Sequence, residues 1–137
     1  MPRIYIPMVA DLFHYGHMSL LRRCRELEDN VQLVVGVHSD ESCTLYKRTP
    51  ILTMEERILT LEMSGLVDEV VPDAPFNPDD QFFTHHRIDR MVHAHPIEED
   101  DFYRRLYRRA CELGIFERLD YTDTISTSEL IRRTRER

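Results

Sequence analysis

"RIYIPMV" (Arg3–Val9) and "VQLVVGVHSD" (Val31–Asp40), with "DLFHYGHMSLLRRCREL" (Asp11–Leu27) between them, decide the fold. The first stretch is short, apolar and rich in β-formers, with Pro7 near its end, and predicts a strand. Asp11 to Gly16 reads as a loop. From His17 to Leu27 the apolar residues Leu20, Leu21, Cys24 and Leu27 recur at helical spacing, with Arg22, Arg23 and Arg25 on the opposite face. Val31–Asp40 is an almost unbroken apolar run that ends in polar residues, as expected of a parallel strand buried on both faces.

The same alternation continues downstream. Glu41 to Leu52 reads as a loop. Thr53 and Glu56 form a capping box for a helix carried by Ile58, Leu59, Leu61 and Met63 and closed by Ser64 and Gly65. "VDEVVP" (Val67–Pro72) predicts a third strand, and Pro72, Pro75 and Pro78 mark a loop. "DDQFFTHHR" (Asp79–Arg87) predicts a helix and "IDRMVHAH" (Ile88–His95) a fourth strand. Glu98 to Leu113 reads as one long amphipathic helix with Phe102, Leu106, Ala110 and Leu113 on one face. "GIFERLDY" (Gly114–Tyr121) predicts a fifth strand, and "STSELIRRTRER" (Ser126–Arg137) a closing helix capped by Ser126 or Ser128. Strands alternating with helices across short loops predict a doubly wound, Rossmann-like α/β domain with a parallel sheet of about five strands. Ligands in such folds sit off the carboxyl ends of the strands, where the opening motif falls.

At 137 residues and 42% hydrophobic content, the chain holds one core and one domain. A net charge of −7 disfavours nucleic acid and anionic membrane as partners, so an anionic ligand must be held by local cations. Cys24, Cys43 and Cys111 are widely spaced with no C-x-x-C, which argues against a disulfide framework or a zinc module and suits a reducing compartment. The start lacks a signal-peptide h-region and no run is long enough to span a membrane, so a soluble, cytoplasmic protein is expected. Seventeen of the eighteen basic residues are arginine, which singles out Lys47.

Asp11, His14 and His17 admit three readings. Each histidine alone is most simply a capping or surface residue. D-x-x-H-x-x-H offers three metal ligands, although zinc motifs usually space helical histidines at i,i+4 and recruit a further ligand elsewhere. The third reading is phosphate binding: a helix N-terminus presents free N–H groups and partial positive charge, Gly16 permits close backbone approach, and imidazoles donate to phosphate oxygens.

Here the sequence resembles the H-x-G-H nucleotidyltransferases, and among them the cytidylyltransferases that act on phospho-alcohols. "DLFHYGHMSLLRRCREL" is similar to that family's first motif, "VGVHSDES" to its second strand, "YKRTPILTMEERI" to its lysine loop and following helix, "LVDEVVPDAPF" to the next strand and loop, and "ISTSELI" to its last motif. The spacing from Lys47 to Arg57 leans toward the phosphoethanolamine-type branch, with glycerol-3-phosphate enzymes related. The resemblance implies transfer of CMP from CTP to a small phosphorylated or phosphonate alcohol, with release of pyrophosphate. It implies that His14 and His17 contact the α- and β-phosphates, that Lys47 bridges nucleophile and α-phosphate, and that Arg57 holds the anionic acceptor. Ser126 and Thr127 would grip the β- and γ-phosphates. Val9, Ala10, Asp11, Gly16, His93, His95, Thr122 and Ile125 would complete the nucleotide site. Mg²⁺ would bridge the phosphates, with Asp11 a candidate ligand. A homodimer is expected, and the tail "IRRTRER" reads as a frayed end or a linker to another domain.

The chain departs from the family pattern at three places. Met8 stands where a glycine is usual, Tyr121 and Thr124 replace the arginine and glycine of R-T-x-G-I-S-T, and Ala94, His95 and Pro96 replace the residues after the histidine of H-G-D-D. These changes point to a specialised acceptor; 2-hydroxyethylphosphonate, phosphoethanolamine and glycerol 3-phosphate are candidates. The first would fit a resemblance to the short, divergent cytidylyltransferase domains of phosphonate-antibiotic biosynthesis. An ATP-using adenylyltransferase and a non-catalytic nucleotide-binding domain stand as alternatives.

Overall fold

In the computed structural model, which describes residues 1–137, five parallel strands lie in the order β3-β2-β1-β4-β5. They are β1 (Arg3–Met8), β2 (Gln32–Val37), β3 (Glu69–Pro72), β4 (Arg90–Ala94) and β5 (Phe116–Leu119). The helices are α1 (Tyr15–Arg25), α2 (Asp40–Tyr46), α3 (Met54–Met63), α4 (Asp80–His85), α5 (Asp100–Leu106), α6 (Arg108–Glu112) and α7 (Thr127–Glu136). The expected Rossmann-like parallel sheet is therefore present.

β1 and β2 pair from Arg3 opposite Gln32 to Met8 opposite Val37. Their side chains alternate between two cores. Ile4, Ile6, Leu33, Val35 and Val37 pack with Leu21, Cys24 and Leu61 on one face. Tyr5 and Val34 pack with Phe83, Met91, Tyr107 and Ala110 on the other. Burial on both faces explains why β2 reads as a continuous apolar run. Gly36 has a specific role: a Cβ there would lie 2.0 Å from Tyr5 Oη, so only glycine lets the Tyr5 ring cross β2. Strands added on both sides of β1 create the switch point between β1 and β4.

Four expectations are corrected. Residues 41–46, expected as loop, form α2 together with Asp40, because Ser39 Oγ caps Ser42 N–H, Asp40 and Glu41 occupy the positive first turn, and Cys43 anchors the helix. α1 begins at Tyr15 with His14 as its cap, so Tyr15 and Gly16 belong to the helix. The expected 98–113 helix is a 3-10 turn (Ile97–Glu99) followed by α5 and α6, which break at Tyr107 (φ −102°, ψ 40°). The break drives the Tyr107 ring into the second core, while Phe102 and Leu113, expected on the buried face, are exposed. Finally, Arg23 and Arg25 do not sit on a solvated face of α1. Arg25 bonds the carbonyls of Val31 and Leu66, and Arg23 turns toward the strand ends.

Candidate active site

The carboxyl ends of β1 and β4 open into a cleft of about 250 Å³. Pro7 and Met8 of β1, Val9 just beyond it, and His93 and Ala94 of β4 form its floor. The N-terminal half of α1 and residues 121–128 make one wall. The end of α2, Phe76 and the α5 residues Tyr103 and Leu106 make the other.

The loop after β1 is unusual backbone. Ala10 (φ 59°) and Leu12 (φ 50°) are both left-handed, a conformation that costs on the order of 1–3 kcal/mol per non-glycine residue and persists only where the surroundings impose it. Those surroundings are identifiable. Asp11, 1% exposed, accepts the N–H groups of Ile51 (2.8 Å) and Leu52 (3.0 Å) with its two carboxylate oxygens. Its own carbonyl accepts the Thr127 hydroxyl at 2.9 Å. The Val9 carbonyl accepts Arg57 Nη1 at 2.8 Å. The loop is thus tied to the lead-in of α3 and to the start of α7.

His14 and His17 form an imidazole capping box. His14 Nδ1 accepts the Gly16 N–H at 3.1 Å, and His17 Nδ1 accepts the His14 N–H at 3.1 Å. An Nδ1 that accepts carries no proton, so each neutral ring holds its hydrogen on Nε2 and has one donor to offer. His14 Nε2 lies 3.5 Å from Thr127 Oγ1. The two rings are 3.9 Å apart, and His17 stacks on Phe13. Burial and the neighbouring His14 push His17 down to about 3, and burial lowers His14. Both are therefore neutral donors at physiological pH, beside the N–H groups of a helix start. Gly16 is required here, because a Cβ would lie 2.8 Å from His14 Cε1.

Among the remaining expected residues, Val9, Asp11, Gly16, Lys47, His93, Thr122, Ile125, Ser126 and Thr127 all line the cleft. Lys47 is the exposed C-cap of α2. Ser126 Oγ accepts the Glu129 N–H and so caps α7 while facing the cleft. Ala10 is buried behind the loop rather than in the cleft. Arg57, expected to hold the acceptor, is fully buried and is not among the residues that line the cleft; Nε donates to Leu52 O, Nη1 to Val9 O and Nη2 to Asp40 Oδ1, so it braces the floor from behind. His95, 1% exposed, turns away from the cleft to Asp100 (2.7 Å) and His93 Nδ1 (2.9 Å). His93, pushed down to about 3 by burial and by His95 and His38, is the member of that pair that faces the cleft.

Arg23, His38, Tyr46, Arg48, Phe76 and Tyr103 line the cleft without having been singled out from the sequence. His38 was adjacent to a legible signal, the polar end of the β2 run. The aromatic wall, where Phe76 meets His38 at 4.3 Å and Tyr46 at 5.3 Å, comes from three separate segments and has no local signature. Arg23, Lys47 and Arg48 are the lining cations, and the single lining carboxylate, Asp11, is committed to backbone N–H groups. The cleft is thus positively biased within a chain of net charge −7.

A parallel sheet in this order, with an imidazole-capped helix at its switch point, defines a Rossmann-like domain with a cleft suited to phosphates. Residues 9–133 match the Cytidylyltransferase-like family, and the chain belongs to that family. It is 38% identical over 133 residues to the choline-phosphate cytidylyltransferase of Saccharomyces cerevisiae, covering 94% of this chain and 30% of that protein. It is 38% identical over 135 residues to the ethanolamine-phosphate cytidylyltransferase of Arabidopsis thaliana (95% and 32% covered), and 35% over 131 to a probable one of Schizosaccharomyces pombe (96% and 35%). The chain spans about a third of the length of these relatives. A lipopolysaccharide core biosynthesis protein from Thermoplasma volcanium shares the fold at TM-score 0.71 and 22% identity, covering 90% of this chain and 99% of that one. No helix is long and apolar enough to cross a membrane.

Proposed function

We propose that this protein transfers CMP from CTP to a small phosphorylated or phosphonate alcohol and releases pyrophosphate. The observation that carries the reading is the imidazole pair at the start of α1, both rings fixed as Nε2–H donors and both lining the cleft. Membership of the family and the activities of the choline- and ethanolamine-phosphate relatives support it.

An oxygen of the acceptor's phosphate or phosphonate attacks the α-phosphorus of CTP. A new P–O bond forms, the bond to the bridging oxygen of the β-phosphate breaks, and pyrophosphate leaves with that electron pair. The attacking group has a second pKa of about 6 and is ionised at neutral pH, so no general base is needed. Catalysis then consists of positioning and charge stabilisation. His14 and His17 donate to α- and β-phosphate oxygens without exchanging protons, which their low basicity favours. Lys47, exposed at the end of α2, bridges the two reacting anions. Thr127, Ser126 and the N–H groups of α7 receive the β- and γ-phosphates.

Mg²⁺ accompanying the triphosphate would neutralise charge on its oxygens. The residues do not form a protein-held site: no group of three potential ligands is clustered, and Asp11 directs both carboxylate oxygens at backbone donors. Asp11 is therefore read as the organiser of the loop, the other role the sequence offered it, with both oxygens already accepting backbone N–H groups.

Pyrophosphate release is the test, with CTP and ATP each assayed against phosphoethanolamine, phosphocholine, glycerol 3-phosphate and 2-hydroxyethylphosphonate. Turnover with CTP and one acceptor is expected. Turnover with ATP alone would reassign the protein as an adenylyltransferase, and CTP binding without turnover across the panel would make it a binding domain. Lys47→Ala should bind CTP normally and lose about 100- to 1,000-fold in rate, the usual effect of removing one transition-state donor. Unchanged activity would remove Lys47 from the mechanism.

A further inference from the structure

α1 and the segment between β5 and α7 lie side by side and run in opposite directions. Arg23 Nη1 donates to the Asp120 carbonyl at 2.6 Å, Tyr15 Oη donates to Thr124 Oγ1 at 3.1 Å, and His14 meets Thr127 at 3.5 Å. The seam therefore has a phosphate end at His14 and Thr127 and a far end at Arg23. Arg48 Nη1 donates to Ser128 Oγ at 2.9 Å beyond the phosphate end, which extends the cationic side in that direction. Leu20, Thr122 and Ile125 line the cleft between the two ends.

Arg23 lines the cleft, yet its Nε and Nη2 are buried and have no hydrogen-bond partner in the protein. Buried charged donors without acceptors are unfavourable, so two of them on one cleft residue point to acceptors brought by a ligand. Those two nitrogens form the side-on fork of a guanidinium, which matches a pair of adjacent acceptors. Arg23 sits six residues past His17, about 9 Å along the helix, the length of a nucleoside and not of one phosphate.

We propose that Arg23 reads the pyrimidine of the nucleotide, with Nε–H donating to cytosine O2 or N3 and Nη2–H to the other. This rests on the reading of the cleft as a CTP site. Cytosine presents O2 and N3 as neighbouring acceptors. Uracil places an N–H donor at position 3, and adenine sets its N1 acceptor beside an amino donor, so neither satisfies the fork. Discrimination follows because the wrong base leaves a buried donor unpaired. Arg23 is thus a specificity-determining residue, and it supplies a cation near the segment in which Tyr121 replaces the family's arginine.

The experiment measures kcat/KM for CTP, UTP and ATP with one acceptor, inhibition by inorganic tripolyphosphate, and calorimetric binding of CMP and AMP, in wild type, Arg23→Ala and Arg23→Lys. CTP kcat/KM and CMP affinity should fall about 10- to 100-fold in Arg23→Ala, with UTP, ATP and tripolyphosphate little changed. Arg23→Lys keeps the charge and the packing but loses the fork, and should lose the same discrimination. Equal losses for all three nucleotides together with weaker tripolyphosphate inhibition would place Arg23 on phosphate and overturn the proposal. Unchanged nucleotide preference would reduce it to a tie to Asp120. A wild type that binds CMP over AMP but does not turn over CTP would refute the proposed activity while the Arg23 variants still decide base reading; a wild type that binds neither overturns both.

Discussion

Arg57→Ala separates a buried structural tie from a substrate contact. The side chain is fully buried, and its three bonds go to the carbonyls of Leu52 (3.2 Å) and Val9 (2.8 Å) and to Asp40 Oδ1 (2.7 Å). Truncation leaves two part-buried carbonyls without their donor, at about 1–3 kcal/mol each. Asp40 is 39% exposed and can rehydrate, so its end of the ion pair adds only about 0–1 kcal/mol. The removed side chain also leaves a void beneath Val9. Together these terms give an expected loss of about 2–7 kcal/mol. That is a large part of the stability of a domain this size, about 5–15 kcal/mol in general. Arg57→Lys should recover only part of it, because one ammonium cannot span three acceptors in different directions. Urea unfolding followed by circular dichroism measures the loss, and steady-state kinetics under folding conditions measures the effect on the floor of the cleft. A wild-type unfolding midpoint combined with a tenfold rise in acceptor KM would refute the reasoning and return Arg57 to the substrate.

Two further outcomes are expected. Gly16→Ala should fold with stability within about 1 kcal/mol of wild type, since the helix-propensity gain offsets a disturbed cap. The new Cβ would displace the His14 ring and lower the rate at least about tenfold, so full activity would remove His14 Nε2 from the reaction. His17 and His93 both have native pKa values of about 3, below the unfolded value of 6.5, so the stability they contribute is complete above pH 6.5 and is lost as pH falls toward 3. Each contributes at most about 1.4 kcal/mol per pH unit in that window, and partial solvation should bring the pair to about 1–2 kcal/mol per unit. An unfolding midpoint that is flat from pH 6.5 to 5, or an unchanged slope in His17→Gln and His93→Gln, would contradict this.

Local signals read from the sequence correspond well to the structure where the determinant is itself local. The Thr53–Glu56 box forms as expected, with Glu56 Oε1 accepting the Thr53 N–H at 2.9 Å and Thr53 Oγ1 the Glu56 N–H at 3.2 Å. Gly65 closes α3 with φ 74°, and the buried run of β2 sits inside the sheet between β1 and β3. The misses share a cause. α2 has seven residues and buries only Cys43, too little to register as a hydrophobic period. Arg57 and His95 are polar residues drawn inward by partners distant in sequence or across a turn, which no periodicity announces. Arg23 looked solvated because a helical wheel cannot show that the 120–127 segment returns beside α1.

The three departures from the family pattern are connected through the geometry of the cleft. Met8, 9% exposed, is the last residue of β1, pairs with Val37 and joins the hydrophobic core while edging the floor, so the sharp turn falls two residues later, at left-handed Ala10. A strained turn there needs external restraint, which Asp11 draws from Ile51 and Leu52 and Arg57 provides at Val9. Ala94 leaves room at the end of β4, and His95 is held by Asp100, which also binds Arg104 Nε at 2.7 Å. His93 is thereby kept at the cleft by its bond to His95 rather than by a carboxylate of its own. Tyr121 gives up a cation between two that remain, Arg23 at one end of the α1 seam and Arg48 at the other. The departures lie at the floor, at the end of β4 and in the 121–124 segment, while the imidazole pair, the lysine and the α7 N-terminus, the groups proposed to hold the phosphates, line the same cleft. That division is what the proposed change of acceptor without a change of chemistry requires.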